Sequence, residues 1–462
     1  MNKKRCVSGL LAAWMLFAGM ASAYASGGEE PAPAAADPPQ TVVQSDPAAN
    51  SADPAADPAQ DPAADPSAQG TPAPRSGIAE GAYEAPGGDD WNWKDDPTVK
   101  VDAAADPSGA LSLPCRNAIL VSTDTGEVLY EMQPDVRVPI ASITKLMTLL
   151  LTFEAIDAGK ISLTDTVPIS EHAYNMGGSQ IWLEPGETFT LDELVKAICV
   201  SSANDAAVAV AEYVGGSESV FAEMMNAKAK ELGMENTHFM NACGLDEENH
   251  YSTARDVAVM SRELMKHETV MQYTGIWTDS LRGGETQLVN TNKLLKTYSG
   301  ATGLKTGTTS GAGVCIAATA EREGMGLLAV VLGSPSSAER FVAATRLLDY
   351  GFANYELAQI PAVQGMAQAL TVTGGISETV GLTTTAPSAV LVKKGQGAQL
   401  SAVAELPAQL AAPIMEGQKI GEIVLSGPQG EVGRYEVTAK GQVDVMNREN
   451  AWALLWNSLL TG

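Results

Sequence analysis

The hydrophobic residues of this 462-residue chain follow several rhythms in turn. At the N-terminus Lys3, Lys4 and Arg5 precede an apolar core, "CVSGLLAAWMLFAGM", and then the small residues "ASAYA". Charge, apolar core and small residues in that order predict a secretory leader over 1–25, cleaved after Ala23 or Ala25. The run is short for a retained membrane span. Periodicity resumes near Leu111. "NAILVSTDTGEVLYEM" predicts two strands around an Asp-Thr-Gly turn. Residues 140–158 predict a helix, and 190–214 predict a helix that breaks near Ser201–Asn204 and starts again. Further helices are expected over 217–233, ended by Gly233, and over 253–267. "GVCIAATAEREGMGLLAVVLG" (313–333) reads as two strands joined by a glycine turn, and 338–355 as a helix. Helices flanking a largely antiparallel sheet, an α/β (α+β) layout, fit this order.

From about Glu356 the rhythm shortens to alternating runs such as "ALTVTGG", "SAVLVKKG", "GEIVLSG" and "GRYEVTAKG", punctuated by Gly and Pro. These predict a small all-β domain. The chain closes on "NRENAWALLWNSLLTG", with Trp452, Leu455, Trp456 and Leu459 at i, i+3, i+4 and i+7 and Leu460 extending the face. Two tryptophans on one helical face suit the headgroup region of a bilayer, with Arg448 as the sole basic anchor; the other reading is that the helix packs on the β domain. The expected plan is a leader at 1–25, a linker at 26–108, a main domain at 109–357, a β-rich domain at 358–446 and an amphipathic helix at 447–462.

Charge and composition sharpen this plan. The net charge of −26 argues against nucleic acid as a partner, since a phosphate backbone needs a basic surface. Residues 26–108 hold 16 acidic and 3 basic side chains, half of that net charge. Their near-repeat, "ADPAADPAQDPAADP", has too little apolar surface to offset its chain entropy and predicts a disordered acidic linker. Within it "DDWNWKDD" (89–96) is a sticky spot. Cys6 precedes the apolar run, at no lipoprotein-like cleavage point, and Cys115, Cys199, Cys243 and Cys315 remain beyond the leader. Four cysteines in so long a chain make no disulfide framework, and their spacing matches no zinc pattern. No metal and no organic cofactor is implied.

Three short motifs carry the candidate chemistry. Ser142-x-x-Lys145 is the only Ser-x-x-Lys, Ser202-x-Asn204 the only Ser-x-Asn, and Lys305-Thr306-Gly307 the only Lys-Thr-Gly. They fall in that order, at a helix start, at a helix break and on a predicted strand. Residues three apart share a helix face. A serine hydroxyl becomes a nucleophile when a base takes its proton, and a lysine is such a base if burial and a neighbouring cation depress its pKa. Other hydrolytic signatures are missing: His267-Glu268 lacks the second histidine of a zinc-peptidase helix, and no Gly-x-Ser-x-Gly elbow occurs. His238 and His250 read as structural.

The ordered triple resembles the low-molecular-weight penicillin-binding proteins that act as D-alanyl-D-alanine carboxypeptidases. The resemblance spans roughly 111–357, and more loosely the β-rich domain. It includes "CRNAILVSTDTGEVLYE", "SANDAAVAVAE", "GMENTHFMNACGLDEENHYSTARDVA", "GATGLKTGTT" and "RLLDYGF". It implies a penicillin-binding protein/β-lactamase-like domain, a D-Ala-D-Ala peptidoglycan stem peptide as substrate, and β-lactam antibiotics as covalent inhibitors. Ser142 would attack the peptide carbonyl, Lys145 accept its proton, Ser202 relay a proton to the leaving D-alanine and Asn204 hold the substrate amide. Lys305 and Thr306 would bind the terminal carboxylate. The N–H groups of Ser142 and Thr308 would form the oxyanion hole. Arg340, seven residues before "LLDYGF", resembles an arginine that helps hold the carboxylate; the other reading is a solvated helix charge.

A class A β-lactamase shares the triple but needs Glu-x-x-x-Asn between the second and third motifs to activate water. Leu232 precedes Asn236 by four and Thr237 precedes Asn241 by four, so the pattern is missing there. An inactive, wall-sensing relative is the third reading, and intact motif side chains argue against it. The expected setting is extracytoplasmic, at the cell wall and the outer face of the cytoplasmic membrane, in peptidoglycan biosynthesis and the upkeep of cell shape.

Overall fold

Strand β1 (Asn117–Ser122) is buried along its whole length, and its side chains alternate between two cores. Ile119 and Val121 enter one; Ala118 and Leu120 enter the other. A strand with two apolar faces needs cover on both sides. The computed structural model describes residues 111–461 and supplies that cover. The expected leader, the linker with its Trp91–Trp93 spot, and Cys6 lie outside the described residues.

Strands β1, β2 (Val128–Met132), β3 (Ala301–Thr309), β4 (Gly313–Arg322) and β5 (Met325–Ser334) form an antiparallel sheet in the order β2-β1-β5-β4-β3. The alternation continues across it. Cys315 and Ala317 on β4, with Leu328, Val330 and Leu332 on β5, face the first core. Ile316 and Ala318, with Leu327, Ala329 and Val331, face the second.

Helices α1 (Lys145–Asp157), α2 (Leu191–Val200), α3 (Asn204–Gly215), α4 (Glu218–Glu231) and α5 (Ala254–Met265) build the layer over the first core. Their starts are written locally. Thr190 and Glu193 make a reciprocal capping box on α2, and Ser217 and Thr253 cap α4 and α5. Helix α6 (Ser337–Asn354), capped by Ser336, lays Ala343, Ala344, Leu347 and Leu348 on the opposite face of the sheet.

One expected helix starts differently. The run from 140 opens with a 3-10 turn over Ala141–Thr144, and α1 begins only at Lys145. Ala141 takes a left-handed φ of 50°, which interrupts α-helical geometry there.

Beyond α6, the strands Tyr355–Gln359 and Ala389–Lys393 pair, and Leu391 reaches into the second core. A six-stranded sheet follows, in the order 401–405, 419–427, 430–439, 379–384, 369–373, 410–411, around two smaller apolar clusters. The chain ends in helix α7 (Arg448–Thr461), on which Trp452, Leu455, Trp456, Leu459 and Leu460 are all exposed. Among the described residues no helix is long and apolar enough to cross a membrane.

Candidate active site

The 3-10 turn has a direct consequence for chemistry. Side chains three apart in such a turn eclipse one another, so Ser142 stands directly over Lys145. Lys145 is wholly buried at the head of α1. Its Nζ donates to Ser142 Oγ at 2.9 Å, Asn204 Oδ1 at 2.6 Å and the Cys243 carbonyl at 2.7 Å. Burial lowers its pKa to about 8, against the opposing pull of Cys243 and Asp205. Three acceptors match the three hydrogens of an ammonium. Loss of one proton leaves a lone pair for the serine hydroxyl.

The second motif sits at the break between α2 and α3. Ser202 is buried with a left-handed φ of 61°, which ends one helix and lets the next start. Asn204, the first residue of α3, splits its amide. Its Oδ1 accepts from Lys145, and its Nδ2 donates to the Gly177 carbonyl at 2.7 Å. That leaves the second Nδ2 hydrogen able to donate to a further acceptor. Asp205 beside it accepts from the amides of Ile181 at 3.0 Å and Leu183 at 3.2 Å.

The third motif runs along β3, the edge of the sheet. An edge strand offers free backbone groups to an extended peptide. A β-carbon on Gly307 would stand 2.9 Å from both the Ile140 carbonyl and the Ser142 nitrogen, so only glycine lets β3 pass the serine this closely. Lys305 is buried and donates to the Thr306 carbonyl at 3.0 Å. Burial and then the charges of Lys145 and Arg340 push its pKa well below the usual lysine range. The Thr306 hydroxyl pairs with that of Thr291 at 2.6 Å. The Thr308 side chain is exposed beside them.

Arg340, in the first turns of α6, is buried rather than solvated. Its Nη1 donates to the Gly307 carbonyl, Thr308 Oγ1 and the Cys315 carbonyl, each at 3.3 Å, and Nη2 donates to Ser337 Oγ at 3.3 Å. Its buried Nε has no partner among the described residues. Burial draws its pKa down to about 10. Among the described residues this desolvated guanidinium bonds only neutral groups, an arrangement chemically able to receive an anion beside Thr308.

The structure therefore joins Ser142, Lys145 and Asn204 by direct bonds and brings Gly307 and its neighbours against them. Ser202 holds its place at the break through backbone geometry. Sequence reasoning missed the Cys243 carbonyl, because a backbone acceptor has no side-chain signature. It also missed Asn241, whose Oδ1 accepts from the amides of Cys243 and Gly244 and so shapes that carbonyl's turn. A side chain on Gly244 would collide with the Ala141 carbonyl; a glycine at such an approach was the available signal. His250 is neutral, its pKa pushed by burial to about 3. It accepts from the Met240 amide at Nδ1 and donates from Nε2 to Thr144 at 2.8 Å, bracing the 3-10 turn.

Comparison with known proteins places this geometry in a lineage. Residues 102–336 match the family model described as D-alanyl-D-alanine carboxypeptidase, and residues 363–444 match the C-terminal domain of penicillin-binding protein 5. A Bacillus subtilis protein named D-alanyl-D-alanine carboxypeptidase DacF is 43% identical over 329 residues, covering 70% of this chain and 85% of that one. An Escherichia coli protein, D-alanyl-D-alanine carboxypeptidase DacC, is 34% identical over 70% of this chain and 82% of its own. The crystal structure of penicillin-binding protein 5 from Haemophilus influenzae superposes with a TM-score of 0.65 at 29% identity, covering 72% of this chain and 98% of that one. The chain belongs to the D-alanyl-D-alanine carboxypeptidase family.

Proposed function

We propose that this carboxypeptidase removes the terminal D-alanine from peptidoglycan stem pentapeptides through an acyl-enzyme on Ser142. The observation that carries the assignment is the buried Lys145 Nζ, 2.9 Å from Ser142 Oγ and depressed towards neutrality. Uncharged Lys145 takes the hydroxyl proton as Oγ attacks the D-Ala-D-Ala carbonyl carbon. The carbonyl oxygen becomes an anion between the N–H groups of Ser142 and Thr308, a contribution typically worth about 3 kcal/mol. The C–N bond then breaks, and the leaving amine takes a proton relayed through Ser202. Water cleaves the resulting ester, with Lys145 again the base. Lys305, Thr306 and Arg340 hold the terminal carboxylate, and one Asn204 N–H holds the amide carbonyl. A β-lactam offers a carbonyl and a carboxylate to the same groups. Its expelled nitrogen stays tethered, so its ester persists.

The partners of Lys145 among the described residues are a hydroxyl, an amide and a backbone carbonyl. None is a carboxylate able to activate water, which supports a carboxypeptidase over a β-lactamase. Release of D-alanine from a synthetic pentapeptide, with fluorescent penicillin labelling Ser142, tests the assignment and separates it from an inactive wall sensor.

The expected leader and the exposed apolar face of α7 support an extracytoplasmic enzyme resting on the outer face of the cytoplasmic membrane. Co-sedimentation with lipid vesicles that is lost on removal of residues 448–462 tests the membrane contact.

A further inference from the structure

Trp182 is 73% exposed and holds a φ of 57°. A left-handed conformation is an outlier for a bulky residue and persists only where the surroundings impose it. Here they do. The amides on either side of it, at Ile181 and Leu183, both donate to the buried Asp205 carboxylate. The carbonyls of Ile181 and Trp182 accept from Arg282 at 2.9 and 3.0 Å, and Arg282 is itself paired with Glu187 at 2.8 Å. The Ile181 and Leu183 side chains are buried in the first core. Upstream, the carbonyls of Gly177 and Ser179 accept from Asn204. Segment 177–183 is thus tied to Asn204 and Asp205, while the indole itself projects into solvent.

Asn204 bonds Lys145 as well as the carbonyls of Gly177 and Ser179, so the start of this segment borders the Asn204 side of the site. The terminal carboxylate is assigned to the opposite wall, at Lys305, Thr306 and Arg340. The acyl half of the substrate, running back from the scissile bond, therefore leaves on the side of Trp182. A large apolar ring on an already ordered backbone can cover a substrate side chain at little cost in chain entropy.

We propose that Trp182 is a specificity-determining contact for the acyl half, packing its indole on the aliphatic side chain of the residue before the two D-alanines. The proposal rests on the carboxypeptidase reading above. The experiment compares two peptides, Nα,Nε-diacetyl-lysyl-D-alanyl-D-alanine and acetyl-glycyl-D-alanyl-D-alanine, on wild type, Trp182→Ala and Trp182→Phe. Trp182→Ala is expected to lose about tenfold in kcat/KM on the lysyl peptide and little on the glycyl peptide, with Trp182→Phe restoring most of the preference. Equal loss on both peptides, or loss on neither, with wild-type turnover intact, overturns the Trp182 contact alone. No D-alanine from either peptide with wild type overturns the carboxypeptidase reading and this proposal with it.

Discussion

Gly307 runs so close to Ser142 that a β-carbon on it would lie 2.9 Å from the serine nitrogen. That approach brings the edge strand against the backbone of Ser142, whose N–H is proposed to share the oxyanion with that of Thr308. Gly307→Ala should push β3 away from Ser142 and so open the proposed oxyanion site. The expected result is a loss of about 100-fold or more in the rate of penicillin acylation, with the melting temperature little changed. Acylation within threefold of wild type would detach Gly307 from the oxyanion site.

As the proposed base, Lys145 should set the pH profile. A base works only when it carries a lone pair, and its pKa lies near 8. Acylation should therefore climb with pH, about tenfold per unit below that value, and level off above it. Lys145→Arg keeps the charge but cannot release a proton, so acylation should fall by roughly 1,000-fold. A flat profile, or an active arginine variant, would remove Lys145 as the base.

Arg340 is buried, has no carboxylate partner among the described residues and bonds to the backbone of the third motif. Arg340→Ala should raise KM about tenfold for a peptide ending in a free carboxylate and leave one ending in an amide nearly unchanged. A parallel rise for both peptides would make its role purely structural.

Helix α7 exposes Trp452 and Trp456 with Leu455, Leu459 and Leu460. Residues 26–462 should co-sediment with anionic lipid vesicles, and removal of residues 448–462 should abolish this while turnover of a soluble peptide persists. Equal partition of both forms would exclude an anchor. Loss of the β domain's melting transition on truncation would show that the helix packs on it instead.

Much of this was legible in the sequence because it is written in local patterns. The 2-residue alternation of β1, β4 and β5 gives the sheet its two faces, and Thr190, Ser217 and Thr253 mark helix starts in the residues themselves. Unique motifs nominated Ser142, Lys145, Asn204 and Gly307. What stayed hidden depends on tertiary placement. The left-handed Ala141 turns an expected helix into a 3-10 turn, and the Cys243 carbonyl, the third acceptor of Lys145, belongs to backbone 98 residues away. Arg340 was legible as a charge, but its burial was not.

The most direct test follows D-alanine. Wild type and Ser142→Ala are incubated with a stem pentapeptide ending in D-Ala-D-Ala, and D-alanine is quantified beside intact protein mass after penicillin treatment. The account predicts one D-alanine per tetrapeptide formed and a penicilloyl adduct on wild type, with neither from a folded Ser142→Ala. Penicillin labelling without any release of D-alanine, or release that survives in Ser142→Ala, would contradict it.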